Sequence, residues 1–357
     1  MVKQNLLDLA PGSGNTRNSE GGFLDLRDGR ILFVYSRYGA GHDDDDAADL
    51  WSIVSSDGGG TWSAPRLCFP RSRVGADNVM SVTLRRMDNG DVGLFYLEKR
   101  PGDSCRMFLT RSADEGETFT DPVCCIPHRG RFTVNNDRVI RLRSGRWLIP
   151  SAPIEILVDE RTGAREFGWS HAVYYGSDDD GATWRRLGSV RPCGGFERSR
   201  IGLQEPGVLE LADGTVWSWM RTDVGRQYEA FSRDGGETWT PAQPSQFTAP
   251  WSPLSAKRLA DGSILAVWNP VPILNGTDEV PDGFWTGGRT PLVCARSLDD
   301  GRSFSEPEVL ENAPDHGYAY TAIHPLEDGS ALLAYCAGGP EDGISMLNRL
   351  RIAKVEF

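Results

Sequence analysis

The chain has 357 residues, of which 39% are hydrophobic and 11 are Trp, so it is long enough to bury a large core. Its 38 Lys and Arg residues against 50 Asp and Glu residues give a net charge of −12. That charge disfavours nucleic acids and anionic membranes as partners, because both are negatively charged. It leaves room for a local basic pocket that binds an anionic ligand.

The N-terminal sequence MVKQNLLDLAPGSG lacks the apolar segment of a signal peptide. No apolar run reaches the ~20 residues that a membrane-spanning helix needs. The seven Cys residues are odd in number and have no CxxC spacing, which argues against a disulfide framework or a zinc site. We therefore expect free, mostly buried thiols, a cytoplasmic location, and neither a metal nor a cofactor.

The predicted elements are strands throughout, beginning with the segment VKQNLLDLA. Six later segments place Asp-Gly, Asn-Gly or Ser-Gly between two apolar runs, which is typical of β-hairpins. The six hairpins are predicted at 24–36, 86–97, 141–150, 210–220, 258–268 and 325–335. The last segment, SMLNRLRIAKVEF, predicts one further strand.

An eight-residue frame, Ser-x-Asp-x-Gly-x-Thr/Ser-Trp/Phe, alternates with these hairpins. It occurs at 55–62, 112–119, 177–184, 232–239 and 297–304. We call these five segments the box turns. The Asp can accept hydrogen bonds from its own turn, and the Gly allows positive φ. The final aromatic residue can pack beneath the turn, so we interpret each box turn as part of the scaffold, away from any chemistry.

The alternation of hairpins and box turns predicts one supersecondary unit per ~60 residues, with roughly four strands in each. Six such units account for residues 1–357, so we predict an all-β, six-bladed β-propeller in a single domain. We expect strands from both termini to complete the last blade, because this removes an exposed sheet edge.

In a propeller the first strand of each blade lines the central channel, so a ligand site should draw on residues just before each hairpin. The sequence is polar at these six positions. The clusters are RNSEGG (17–22), DNVMS (77–81), NNDR (135–138), LQEPG (203–207), WSP (251–253) and GYAYT (317–321).

The repeated box turns and the segment QEPGVLELADGTVWSWMRT resemble the sialidase (neuraminidase) superfamily over essentially all of the chain. The resemblance implies that Glu205 is the base for a tyrosine nucleophile and that Arg221 binds the substrate carboxylate. It assigns the nucleophile to Tyr320, with Tyr318 as the rival. A phenol with its ordinary pKa of about 10 needs such a base at neutral pH.

The same resemblance implies a further carboxylate-binding arginine and a general acid. Arg289 in GGRTPLV takes the first role, whereas Arg296, next to a box turn, is interpreted as structural. In SRYGAGHDDDDAADLW, Arg37 lies where the family has a site arginine. Asp43 lies where the family has the acid, but any of the four carboxylates at 43–46 fits that role.

One part of the family pattern is missing, because no Arg-x-Pro motif stands on the first strand. Counting back from the hairpin puts Glu20 at the place of the arginine, and Arg17 lies three residues earlier. A carboxylate there, about 5 Å from a substrate carboxylate at an effective dielectric of ~20, would cost roughly 3 kcal/mol. Hydroxyl-rich sugars could also use other polar side chains at strand starts, namely Asn78, Asn136, Asp137 and Arg138.

Three functions are open on this sequence. The first is a sialidase-like exo-glycosidase that removes a terminal sialic acid or another acidic sugar from a glycan. The second is a glycosidase or lyase that uses Glu20 and Glu205 on a different sugar. The third is a propeller that binds glycan without catalysis. In each case the expected partner is a glycan or a small sugar, and the sequence does not set the oligomeric state.

Overall fold

The computed structural model describes residues 1–102, 104–154, 156–158, 165–193, 196, 198–273 and 284–357, without the side chains of 156–158 and 165–167. The chain is all-β. In the described part, short 3-10 turns at Arg71–Arg73 and Pro340–Asp342 are the helical segments. None of the described helices is long and apolar enough to cross a membrane.

The strands follow one another in sheets that are mainly antiparallel. After β1 (Val2–Leu9), the first sheet has the order β2-β3-β4-β5. Its strands are β2 (Arg17–Asp25), β3 (Ile31–Tyr38), β4 (Ala48–Ser55) and β5 (Arg66–Phe69).

The next sheet has nine strands, with the path β16-β15-β12-β10-β8-β7-β6, and β9 and β11 pair with β8 and β12. Its strands are β6 (Asn78–Arg86), β7 (Val92–Arg100), β8 (Ser104–Ser112), β9 (Val123–Cys124), β10 (Arg131–Thr133), β11 (Ile140–Arg141), β12 (Trp147–Ile154), β15 (Ala172–Ser177) and β16 (Arg185–Val190). The contact between β8 and β10 in this sheet is parallel. A separate hairpin joins β13 (Ile156–Val158) to β14 (Arg165–Phe167).

Three four-stranded sheets contain the rest of the chain. One runs β17 (Gln204–Glu210), β18 (Val216–Arg221), β19 (Arg226–Ser232) and β20 (Gln243–Thr248). Another runs β21 (Ser255–Arg258), β22 (Ile264–Trp268), β23 (Leu292–Ser297) and β24 (Glu308–Glu311). The last combines β25 (Ala319–Pro325), β26 (Ala331–Cys336), β27 (Leu350–Glu356) and the N-terminal β1.

The N-terminal strand lies antiparallel to the C-terminal strand, with Val2 opposite Glu356 and Leu9 opposite Leu350. This pairing gives β27 a neighbour on both sides. Burial alternates irregularly along β1, whose outer face is exposed. The ends of the chain are therefore held in one sheet by main-chain hydrogen bonds.

All six hairpins predicted from the turn dipeptides are formed. They pair β2–β3, β6–β7, β11–β12, β17–β18, β21–β22 and β25–β26. Each turn places its glycine at positive φ, between 84° and 94°. That conformation is open to Gly without the steric cost that a Cβ would add.

The five box turns share one hydrogen-bond pattern. At 55–62 the Ser55 hydroxyl donates to Asp57 and accepts from the backbone N–H of Gly59, while Asp57 accepts from the N–H and the hydroxyl of Thr61. The equivalent hydrogen bonds recur in the other four segments. The short polar side chains therefore satisfy the turn locally.

The aromatic residue that ends a box turn packs against aromatic residues of other strands. Trp239 stacks on Tyr174 of β15 with ring centroids 3.9 Å apart. Trp184 contacts Phe95 of β7, and Phe304 contacts Phe247 of β20. Trp239 and Phe304 thus link two sheets and Trp184 links two parts of the nine-stranded sheet, so these turns serve the scaffold as the sequence predicted.

The hydrophobic clusters link consecutive hairpins through the second strand of each hairpin. Leu32 of β3 clusters with Leu94 of β7, and Phe95 of β7 with Trp147 of β12. Further along the chain the linked pairs are Leu148–Val216, Trp217–Ile264 and Leu265–Leu333. A last cluster brings Leu332 of β26 back to Phe33 of β3. Successive side chains of one strand therefore pack into different clusters, one on each face of the strand.

The first strand of four hairpins contains a register shift with a residue in the left-handed region. These residues are Glu20, Ser81, Glu205 and Tyr320, with φ between 45° and 60°. Non-glycine residues adopt this conformation at a cost of about 1 kcal/mol or more, and such bulges re-aim side chains. All four side chains line the same cavity.

Replacing Trp239 by Ala should lower the free energy of unfolding by about 3 kcal/mol, because a half-buried indole leaves a gap between two sheets. Chemical denaturation measures this. Leu298→Ala is the matched control in another box turn, since Leu298 is 84% exposed and should change stability little. An unchanged unfolding free energy for Trp239→Ala would contradict the scaffold role.

The box-turn hydrogen bonds predict acid sensitivity. They lower the pKa of Asp57 to about 2, through the hydrogen bonds from the Thr61 side chain and backbone. A lowered folded-state pKa contributes stability above the unfolded value, and this contribution is lost as pH falls toward 2. Asp57→Asn should therefore be less stable than the wild type at pH 6, and the difference should shrink between pH 4 and 2. Melting temperatures across this range test it, and a constant difference would refute it.

Candidate active site

A cavity of about 740 Å³ lies where the first strands of several sheets meet. Its wall includes the four left-handed residues and the acidic segment Asp43–Asp46. Close approach of the strands requires small residues there. A Cβ at Gly22 would lie 3.1 Å from the carbonyl oxygen of Val82, and one at Gly21 would lie 2.2 Å from the Phe33 ring.

Tyr320, Glu205 and Arg221 form one hydrogen-bonded group in this cavity. The Tyr320 hydroxyl donates to Glu205 Oε1 at 3.2 Å, and Arg221 Nη1 lies 3.3 Å from the same hydroxyl. Arg221 Nη1 is 2.6 Å from Glu205 Oε2. Glu205 and Arg221 face each other because the β17–β18 register places Gln204 opposite Arg221. A carboxylate is therefore in place to accept the phenol proton.

The phenol itself is neutral at physiological pH. Burial and the nearby Glu205 raise the pKa of Tyr320 to about 12, although Arg289 and Arg221 oppose this. A neutral phenol is a weak nucleophile, so attack by this oxygen requires a base within hydrogen-bond reach. Glu205 meets that geometric requirement.

Arg289 is a buried cation beside the tyrosine. It is 2% exposed, and its guanidinium lies 5.1 Å from the Tyr320 ring centroid and 4.9 Å from that of Trp285. Among the described residues no carboxylate lies within ion-pair distance of it. The buried N–H groups without an acceptor in the described residues include three in this cavity wall: Nε of Arg289, Nε of Arg221 and Nε1 of Trp251. Unpartnered buried donors of this kind favour an anionic ligand.

Arg17 supplies an arginine to the cavity from the first strand, although the Arg-x-Pro motif is missing there. Its side chain is buried in the cavity wall, over the Tyr38 ring, and donates to Glu20, Asp44 and the His42 carbonyl. The register shift after Ser19 turns Glu20 toward the same side as Arg17. Strict strand alternation, which would separate residues three apart, fails at this bulge.

Glu20 lies in the cavity wall, and its charge is compensated there. It accepts hydrogen bonds from Arg17 Nη2 at 3.2 Å and from the Ser81 hydroxyl. Burial raises the pKa of Glu20 above its ordinary value, and Asp44 adds to this, whereas Arg17 and Ser81 oppose it. The repulsion that Glu20 exerts on a substrate carboxylate is therefore smaller than the sequence suggested, because Arg17 is in direct contact with Glu20 and offsets its charge.

The four acidic residues at 43–46 differ in their contacts. Asp44 pairs with Arg17 at 2.7 Å, and Asp45 pairs with Arg131 and Lys99. Asp46 accepts from the backbone N–H of Asp43. Burial opposes ionisation of Asp44, but Arg17 and Lys99 outweigh it and hold its pKa well below the usual range. An ionised, paired carboxylate is a poor acid, and the described residues offer the Asp43 side chain no such partner.

Arg37 lies outside the cavity wall, which corrects its assignment as a site arginine. It is half-buried, and its guanidinium stacks 4.2 Å from the ring centroid of Trp51. Ser36, the preceding residue of β3, contacts the Ser81 backbone at the cavity side. Successive side chains on a strand point to opposite faces, so Arg37 points away.

The four predicted sugar contacts at strand starts and the rival tyrosine, Tyr318, lie behind the wall. Asn78 donates to backbone carbonyls of the acidic segment, and Asn136 donates to the carbonyls of Gly21 and Tyr320. Asp137 pairs with Lys257, and Arg138 donates to Leu254. Tyr318 is 1% exposed in a hydrophobic cluster. Polar residues at strand starts therefore serve mainly to hold neighbouring strands together, which the sequence pattern could not distinguish from ligand contacts.

Several wall residues were missed or left unassigned. Trp251 stacks under Arg221 at 4.6 Å, and Ser81 donates to Glu20. Both lie in polar clusters that the sequence singled out, WSP and DNVMS. Trp285 and Lys99 had no such signal, because they precede no hairpin. No group of three or more His, Cys, Asp or Glu side chains in the described part of the chain is arranged to hold a metal ion.

Residues 17–333 match the BNR repeat-like domain family over most of the chain. The chain belongs to this family. Together with the relatives below, the match confirms the predicted membership of the sialidase superfamily. A shared fold does not by itself fix an activity.

One curated relative is the anhydrosialidase of Macrobdella decora, 28% identical over 170 residues. The match covers 44% of this chain and 20% of that protein, so the chain spans well under two thirds of its relative. The leech intramolecular trans-sialidase complexed with 2,7-anhydro-Neu5Ac has a TM-score of 0.69 at 15% identity, covering 100% of this chain and 70% of that one.

A second solved structure covers nearly the whole of both chains. The intramolecular trans-sialidase from Ruminococcus gnavus in complex with oseltamivir carboxylate has a TM-score of 0.69 and 15% identity. It covers 99% of this chain and 97% of that chain. At such low identity the likeness shows a shared fold.

Replacing Arg289 by Met should keep or raise stability, by about 1 kcal/mol, because a buried cation without a described counter-ion is exchanged for an apolar group. The paired control is Arg349→Met. That change should cost about 3 kcal/mol, because it leaves the buried Asp342 without its cation. Denaturant unfolding compares the two variants. A large loss of stability in Arg289→Met would make Arg289 a structural residue.

Proposed function

We propose that the chain forms a single six-bladed propeller, with β1 completing the last blade. The six hairpins, the cyclic order of the hydrophobic clusters and the β1–β27 pairing support this arrangement. The cavity then lies at one end of the central channel.

We further propose that the protein is a sialidase-like glycosidase that removes a terminal acidic sugar from a glycan. The observation that carries the proposal is the hydrogen-bonded group of Tyr320, Glu205 and Arg221. Glycosidases with a tyrosine nucleophile are known among the sialidases. The family match and the sialidase-fold structures favour the same reaction class.

In the proposed reaction Tyr320 Oη attacks the anomeric carbon while Glu205 takes the phenol proton. The bond from that carbon to the leaving oxygen breaks, and Asp43 donates a proton to the oxygen. Water then attacks the glycosyl–tyrosine intermediate, with Asp43 as the base, and Glu205 returns the proton to Tyr320. A phenol, unlike a carboxylate, brings no negative charge toward an anionic sugar before it is deprotonated.

Arg221 and Arg289 are the proposed ligands of the substrate carboxylate. Both are buried at the tyrosine, and each has an Nε–H without an acceptor in the described residues. Guanidinium groups suit this task because two parallel N–H groups match the two carboxylate oxygens.

A panel of chromogenic glycosides that includes a sialoside tests the activity. Glu205→Gln should lower kcat by ~10²–10⁴-fold, since the base is lost. Tyr320→Phe should abolish turnover while it leaves ligand binding within a few fold, because only the hydroxyl is removed.

Tyr318→Phe is the matched control, since this residue lies two positions away and outside the cavity wall. It should retain most of the activity. Equal activity of Tyr320→Phe and the wild type would exclude the tyrosine mechanism. A wild type that binds its glycan and returns it uncut would instead make the protein a glycan-binding propeller.

A further inference from the structure

The wall formed by Arg17, Glu20 and Ser81 has different chemistry from the wall formed by Arg221 and Arg289. Four contacts already occupy Arg17: Nε donates to Ser19, Nη1 to the His42 carbonyl and to Asp44, and Nη2 to Glu20. A guanidinium has five N–H donors. Arg17 therefore has one donor left, and it cannot hold a substrate carboxylate through two parallel hydrogen bonds.

The charges at this wall lead to the same conclusion. Arg17 brings one positive charge, and its partners Glu20 and Asp44 bring two negative ones. Across the cavity, Arg221 faces one carboxylate, and Arg289 faces none among the described residues. A substrate carboxylate therefore gains more from Arg221 and Arg289 than from Arg17.

Glu20 retains capacity to accept hydrogen bonds. Each of its oxygens accepts one hydrogen bond, from Arg17 or from Ser81. A carboxylate has about four lone-pair sites, so two remain. The left-handed bulge at Glu20, with φ 56°, turns this side chain into the cavity, and Ser81 on the next first strand has the same geometry.

We propose that Glu20 is a specificity-determining residue. It accepts a hydrogen bond from Arg17, which keeps Arg17 from binding the substrate carboxylate, and with Ser81 it forms a subsite for a hydroxyl or N–H group of the sugar. The substrate carboxylate is then held by Arg221 and Arg289 alone. The inference rests on the proposed function and adds to it. The preferred substrate is a carboxylated sugar with a hydrogen-bond donor that reaches the Glu20 wall.

Two anions of equal charge test the proposal by calorimetry on the folded protein. N-acetylneuraminate carries hydroxyl groups, and cyclohexanecarboxylate carries none. Glu20→Gln should weaken binding of N-acetylneuraminate about tenfold, because a charged acceptor is lost. The same change removes a negative charge, so cyclohexanecarboxylate should bind as tightly as to the wild type, or more tightly.

Asp44→Asn is the matched control. It removes a negative charge from the same arginine without touching the acceptor, so it should tighten both anions or leave both unchanged. If Glu20→Gln fails to fold, Ser81→Ala serves instead and should weaken N-acetylneuraminate alone.

Tighter binding of both anions to Glu20→Gln would overturn the proposal, because Glu20 would then only repel anions. Equal weakening of both would also overturn it, because Glu20 would then act only by holding Arg17 in place. If the wild type binds neither anion, the proposed function itself fails, and this inference fails with it. The two failures are therefore distinguishable by wild-type binding.

Discussion

A left-handed backbone residue on the first strand of a hairpin is the constraint on which the site depends. At Glu20, Ser81, Glu205 and Tyr320 the strand gives up regular pairing and turns one side chain toward the cavity. Each such residue costs about 1 kcal/mol or more. The conformations persist because hairpin pairing on one side and sheet packing on the other fix the chain around them. The rigid sheets therefore hold these four residues in a strained backbone conformation at the cavity.

The cavity separates two kinds of arginine. Arg17 donates to two carboxylates, a carbonyl and a hydroxyl, whereas Arg289 is buried with no carboxylate partner in the described residues. A buried cation of the second kind is costly in the free protein, and an anionic ligand would relieve that cost. Glu205 has two partners in the cavity: it forms an ion pair with Arg221 and accepts a hydrogen bond from Tyr320. Ion pairs and hydrogen bonds between charged side chains therefore line both walls of this cavity.

Residues behind the wall support it in a way that polar composition alone does not reveal. Asn136 donates to the backbone carbonyl of Tyr320, and Asp137 accepts from the backbone N–H of Ile323 on the same strand. Lys257 completes this group through Asp137, and burial lowers the pKa of its ammonium to about 8, although Asp137 opposes the shift. These contacts fix the strand that carries the tyrosine. The polar residues near the cavity therefore form two layers, one that faces the cavity and one behind it that holds the strands in place.

The sequence by itself determined the all-β class, the six hairpins and the box turns, because these depend on local turn chemistry and strand periodicity. It also brought together Tyr320, Glu205, Arg221 and Arg289, through a family pattern. Only the tertiary structure decided that Arg17 reaches the cavity, that Arg37 does not, and that Asn78 and Arg138 lie behind the wall. For Arg17 the physical reason is the bulge in β2, whereas Arg37 lies on β3, where regular alternation points its side chain away from the cavity. One extra residue in a strand reverses which side chains face inward, and no composition or spacing rule records where that reversal occurs.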